Sequence, residues 1–167
     1  MRIVVGVDRS EGSMAALQHG AREAAAHDAE LVVVHAWEPP FEHVHGSETA
    51  EVLRVAALQQ ATETLDDVLA RARAAPGWEV GLVTARPVRG EASEVLLGTV
   101  RPGDLLVVGA NHGERVRRLL LGSVSSRVVR AARCPVVVVP AGRRRTYREP
   151  CGAARRQDRS ALTAASR

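Results

Sequence analysis

The sequence predicts a doubly wound α/β domain built on a five-stranded parallel sheet of order 3-2-1-4-5, from three observations. Short runs rich in valine, leucine and isoleucine recur along the chain, as in RIVVGVD, ELVVVHAW and DLLVVG. Helix-patterned segments of ten or more residues separate them, which calls for right-handed crossovers between parallel strands. The valine runs also show little polar alternation, as expected of strands covered on both faces. If the first strand is central, ligand binds where successive crossovers leave in opposite directions, at the carboxyl ends of strands one and four. That placement brings Asp8 beside Gly109.

Taken in order, residues 2 to 8 form a β-branched run that ends on an acid, the pattern of a central strand reaching the ligand edge. Ser10 and Ser13 offer capping hydroxyls for a helix from about Ser13 to His27, with Met14, Leu17, Ala21, Ala24 and Ala25 on one face. Glu30 to Trp37 is the second strand, ended by Pro39-Pro40. After a polar loop, a long helix runs from Glu48 to Ala74, its packed side marked by Val55, Leu58, Ala61, Leu65, Leu69 and Ala72. Pro76-Gly77 breaks it. The third strand is expected over Trp78 to Ala85, and a short helix over Ala92 to Val100. Arg101-Pro102-Gly103 then makes a turn.

The stretch from Asp104 to Val139 supplies the rest. Leu105 to Val108 reads as a buried strand stopping on Gly109, followed by a polar loop bearing Arg115, Arg117 and Arg118. Gly122-Ser123 opens a helix that ends before Cys134-Pro135, and Val136 to Val139 is the fifth strand. Glycine at a strand end lets backbone approach a ligand, and a helix start presents free amides where anions are favoured. The plainer alternative is that Gly109 turns the chain, Ser123 caps the helix, and Asp8 caps the helix that follows it.

Composition bounds the function. All 23 basic residues are arginine, so mechanisms that need a lysine, including the Walker A loop and Schiff-base chemistry, are excluded. The net charge of +4 belongs to the tail: residues 143–167 hold eight arginines against Glu149 and Asp158. These residues are predicted to be a disordered, arginine-rich extension to a domain spanning residues 1–142. With Tyr147 the one aromatic there, base stacking has little to work with and nucleic acid is not the expected partner. No run of 18 apolar residues occurs and MRIVVGVD lacks signal-peptide flanks, so a cytoplasmic protein without a membrane span is expected. Cys134 and Cys151 imply neither a disulfide framework nor zinc, and His43 and His45 lack a visible third ligand.

Several motifs together resemble the universal stress protein family of the UspA type. They are IVVGVDRSEGS, LVVVHAW, VRGEASEVLL, DLLVVG and LLLGSVSSRVVRAARCPVVVVP, covering nearly all of residues 1–140. The resemblance implies a Rossmann-like fold of the adenine nucleotide alpha hydrolase kind, and a homodimer formed through Val136 to Val139. The ATP-binding branch is marked by Gly, two residues, Gly, nine residues, Gly, then Ser or Thr. Gly109, Gly122 and Ser123 fit that spacing; His112 stands where the second glycine belongs, and Gly113 comes one place late. Arg9 likewise occupies a position that is often glycine in the family. Carried over by residue, the resemblance implies Asp8 near ribose hydroxyls, the Ala36 backbone near the adenine edge, and Gly109, Gly122 and Ser123 at phosphates. His112 and Gly113 belong to the same loop, where a side chain in place of bare backbone clashes with phosphate or shifts the loop.

The leading expectation is thus a regulatory module that binds ATP, with Mg2+ as a companion, and does not turn it over rapidly. The alternative is an ATP-independent, dimeric stress-response protein with a degenerate cleft. Slow hydrolysis ranks last, because no general base besides His112 is evident near the cradle.

Overall fold

The computed structural model describes residues 1–39, 48–110 and 121–141. The elements follow in the order β1 (Arg2–Gly6), α1 (Glu11–Ala26), β2 (Glu30–Trp37), α2 (Glu48–Arg73), β3 (Val83–Arg89), α3 (Ala92–Thr99), β4 (Leu105–Ala110), α4 (Ser123–Ala131) and β5 (Val136–Pro140). All neighbouring strands are parallel and the sheet order is β3-β2-β1-β4-β5, as the sequence predicts.

Successive residues of a strand point to opposite faces, so the valine runs furnish two cores at once. On one face, Ile3, Val5, Leu31, Val33 and Val107 pack against Leu17, Ala21 and Ala24 of α1 and Leu65, Val68 and Leu69 of α2. On the other, Val4, Val32, Val34, Leu106 and Val108 meet Val95 and Leu96 of α3 and Val128 of α4. Both faces of the central strands are therefore covered, and this is why their sequence lacks alternation.

At the amino ends of β1 and β4, Arg2 and Asp104 close the sheet. The Arg2 guanidinium donates to both carboxylate oxygens of Asp104, and the amides of Arg2 and Arg101 donate to the same carboxylate. Burial alone would push Asp104 up, but these hydrogen bonds and the Arg2 charge prevail and hold its pKa below the usual carboxylate value.

Two expectations about packing are corrected. The third strand covers Val83–Arg89, not residues 78 to 85. Trp78 and Val80 do pack against the core, which is what their apolar character signals, but from the segment that leads into the strand. β3 is an edge strand, where Pro87 is tolerated although it has no N–H to donate. In α2, buried positions begin at Ala61; Val55 and Leu58 of the expected packed side are 56% and 43% exposed. Among the described residues the periodicity of the helix thus continues past its buried part. Ala25 of α1 is also exposed.

Candidate functional site

A cavity of about 160 Å3 opens where β1 and β4 end, the crossover point named from the sequence. Its wall includes Asp8, Ser10 and Ser13 from the β1–α1 turn, His35 and Ala36 from β2, Leu96 from α3, Gly109 from β4, and Gly122, Ser123 and Ser125 from the start of α4. Asp8, Ala36, Gly109, Gly122 and Ser123 are thereby brought together. His112 and Gly113, and with them Arg115, Arg117 and Arg118, lie outside the described residues. Arg9 is exposed and is not part of the wall, so the departure from the family pattern at that position leaves the described part of the cavity open.

The β1–α1 turn is tied by its own side chains. Asp8 Oδ1 accepts from the Ser10 amide at 2.8 Å, and Ser10 Oγ, the N-cap of α1, accepts from the Ser13 amide at 3.1 Å. The Ser13 hydroxyl donates to the carbonyls of Asp8 and Ser10. Asp8 thus does serve the helix start, the plainer of its two expected roles, while its carboxylate still borders the cavity. Burial alone would raise its pKa; hydrogen bonds from Ser10 and Ser13 and the nearby His35 outweigh this and hold it below the usual value.

Gly109 has a structural reason of its own. A Cβ placed there would fall 2.5 Å from Gly12 O and 2.7 Å from Ser13 N, and one on Gly12 would fall 2.6 Å from Ala110 O. The first turn of α1 therefore lies with its backbone directly on β4. The glycine serves this close approach as well as bordering the cavity. Gly12, unmarked in the sequence reading, is the other half of the contact.

The start of α4 differs from its neighbours. Its N-cap is Gly122, with extended dihedrals of φ −62° and ψ 170°, and no side chain caps it. The Gly122 carbonyl accepts from the Ser126 amide and the Ser125 hydroxyl, so the first turn is formed, while among the described residues no side chain caps its leading amides, which belong to residues of the cavity wall. Helix α3 beside it is capped: Glu91 accepts from the amides of Ser93 and Glu94, and Arg127 of α4 pairs with Glu91 and Glu94.

On the β2 side, the β1 ladder reaches only to Val34, whose carbonyl accepts from the Val7 amide. Ala36 lies beyond that point and borders the cavity. His35 Nδ1 sits 2.8 Å from Val7 O. Sequence reasoning missed His35; the available signal was one polar residue inside the apolar run ELVVVHAW.

The geometry agrees with the comparisons. The sequence profile of the universal stress protein family matches residues 1–140. The chain belongs to the universal stress protein family. A relative from Thermus aquaticus is 34% identical over 139 residues, covering 82% of this chain and 96% of its own. One from Mycobacterium tuberculosis is 33% identical over 141 residues, covering 82% and 94%. Among solved structures, a universal stress protein in complex with cAMP is 27% identical with a TM-score of 0.63, covering 85% of this chain and 98% of that one. UspA from Lactobacillus plantarum, at 23% identity and a TM-score of 0.67 over 83% and 97% of the two chains, shares the fold. Among the described residues of this universal stress protein, no group of three or more histidines, cysteines or acids could hold a metal, and no helix is long and apolar enough to cross a membrane.

Proposed function

We propose that the cavity binds an adenine nucleotide, ATP with Mg2+ in the first instance, and that the protein acts as a regulatory module that holds the nucleotide without rapid turnover. The observation that carries this is the uncapped start of α4. The amides at the start of α4 and the Ser123 hydroxyl offer a wall of donors, and a helix N-terminus favours anions. Asp8 stands on the other wall as an acceptor for sugar hydroxyls, and the Ala36 main chain offers an edge for the base. The solved relative that holds cAMP supports an adenine ligand in this family. Rapid hydrolysis is not part of the reading: Asp8, with its pKa held low and one oxygen on the Ser10 amide, is a weak general base. Calorimetry with ATP and Mg2+ on the purified protein tests it. Heat that saturates with nucleotide is expected, and none at millimolar concentration overturns it.

The protein is further proposed to work in the cytoplasm as a homodimer. β5 is an edge strand of half-buried valines, and such an edge is generally paired or covered. Light scattering at micromolar concentration should return twice the chain mass. A monomer mass removes the dimer but leaves the nucleotide reading intact.

A further inference from the structure

A second cavity, also of about 160 Å3, lies further along α1, between that helix, the end of α2 and the segment that leads into β3. It shares no residue with the cavity at the ends of β1 and β4. Gln18, Ala21 and Arg22 are spaced i, i+3, i+4, so they stand on one face of α1, and all three line this cavity together with Ala72 and Trp78. Ala21 and Ala72 are buried, and their small side chains make an apolar floor. Trp78 is half-buried: it packs against the core and also lines the cavity.

The wall holds one charged residue, and it is a cation without a counter-ion. Arg22 is exposed, and among the described residues it has neither a hydrogen bond nor an ion pair through its side chain. Glu23, its neighbour in sequence, lies instead between His19 and His27, at 3.7 and 3.6 Å. The negative end of α2 is offset by Arg71 and Arg73 in its own last turn. An open arginine beside an apolar floor suits a ligand with a carboxylate at one end and an apolar body at the other. A guanidinium takes a carboxylate by two parallel bonds, and an indole packs well on a flat ring. Space limits that body to one ring, since a cavity of roughly 150 Å3 holds benzene. Inorganic phosphate would leave the floor uncovered, and a cation would meet Arg22 with like charge.

We propose that this cavity is a second ligand site, taking a small aromatic carboxylate whose carboxyl group pairs with Arg22 and whose ring packs on Ala21, Ala72 and Trp78. The site is independent of the nucleotide reading.

Sodium benzoate is the probe, titrated at constant ionic strength into the isotopically labelled full chain and followed by NMR. The chain has two tryptophans and hence two indole N–H signals, which Trp78→Phe assigns; Trp37 lies outside this cavity and serves as the internal reference. The Trp78 signal should move to saturation at millimolar benzoate while that of Trp37 stays. Benzamide, similar in shape but uncharged, should bind about tenfold more weakly. Arg22→Gln, a change at an exposed helix position, should weaken benzoate by about tenfold and leave thermal unfolding where it was. A Trp78 signal that does not move at millimolar benzoate overturns the proposal. Equal binding of benzamide, or undiminished affinity in Arg22→Gln, overturns it too, because no carboxylate then pairs with the arginine. Each of these results leaves the nucleotide reading standing, which calorimetry with ATP judges separately.

Discussion

At the amino ends of β1 and β4 the charged groups are paired within the chain: Asp104 accepts from the Arg2 guanidinium and from the amides of Arg2 and Arg101. At the carboxyl ends, α1 is capped by Ser10 and α3 by Glu91, but α4 begins on a glycine whose missing side chain leaves its amides uncapped. The same kind of group, a helix start, is satisfied internally in two cases and left uncapped in the third, all at one edge of one sheet. Ser123 is exposed and Gly122 half-buried, so the amides at the start of α4 stay open to solvent, and the proposed anion would take that place.

The comparison depends on α1 being pinned, and its largest test removes the pin. Gly109→Ala places a methyl into the backbone of Gly12 and Ser13, neither of which can yield as a side chain tip would. A loss of about 3 kcal/mol in stability is expected, at the upper end for an overpacked contact. Urea unfolding checks it; a loss under 0.5 kcal/mol would mean that α1 does not rest on β4 as described.

Next in size is Gly122→Asp, which gives α4 the cap that its neighbours own. The backbone there is extended with negative φ, a conformation open to any residue. The new carboxylate should occupy the free amides, stabilise the helix by a few tenths of a kcal/mol, and weaken nucleotide binding by roughly 10- to 100-fold, the value of charge-assisted bonds lost and a like charge gained. Stability and affinity should move in opposite directions. Thermal unfolding and calorimetry on the one variant decide, and a variant that keeps full affinity would remove α4 as the anion site.

At the closed end, Asp104→Asn should cost about 2 kcal/mol near neutrality, since the Arg2 charge loses its counterpart. The sign with pH follows from the lowered pKa of folded Asp104. Its contribution is complete above the unfolded carboxylate value of about 3.9 and is lost as pH falls through the lower folded value. The gap between Asp104→Asn and the unaltered protein should therefore be constant from about pH 5 to 8 and shrink below about pH 4. A gap that persists at low pH would point to packing rather than charge.

Much of this was legible in the sequence because it depended on pattern. Valine runs separated by helical periodicity determine a parallel sheet, the crossover rule then locates the cavity, and the strands β2 and β5 fall where their residues suggest. What could not be read depended on where elements stop touching each other. Trp78 and Val80 look like strand but serve the core from outside it, and Val55 and Leu58 keep helical spacing yet are exposed among the described residues. Gly109 is a further case, since its ligand-side role and its contact with Gly12 demand the same residue, and only three-dimensional proximity reveals the second. His35 escaped because its contact with the Val7 carbonyl joins residues 28 apart, which only the folded chain brings together.

The smallest effect asks whether an uncapped helix start is sufficient by itself. Ser10→Ala removes the oxygen that accepts from the Ser13 amide and leaves α1 uncapped, like α4, at the same cavity. A cost of about 1 kcal/mol in stability is expected from the lost cap. No gain in anion binding should accompany it, because the Asp8 carboxylate stays beside that helix start on the Ser10 amide and repels a second negative charge. Thermal unfolding of Ser10→Ala across a phosphate titration gives the result. Stabilisation by phosphate beyond that of the unaltered protein would show that any open helix start here attracts an anion; its absence favours α4 as the anion site, where the first turn carries no acidic residue.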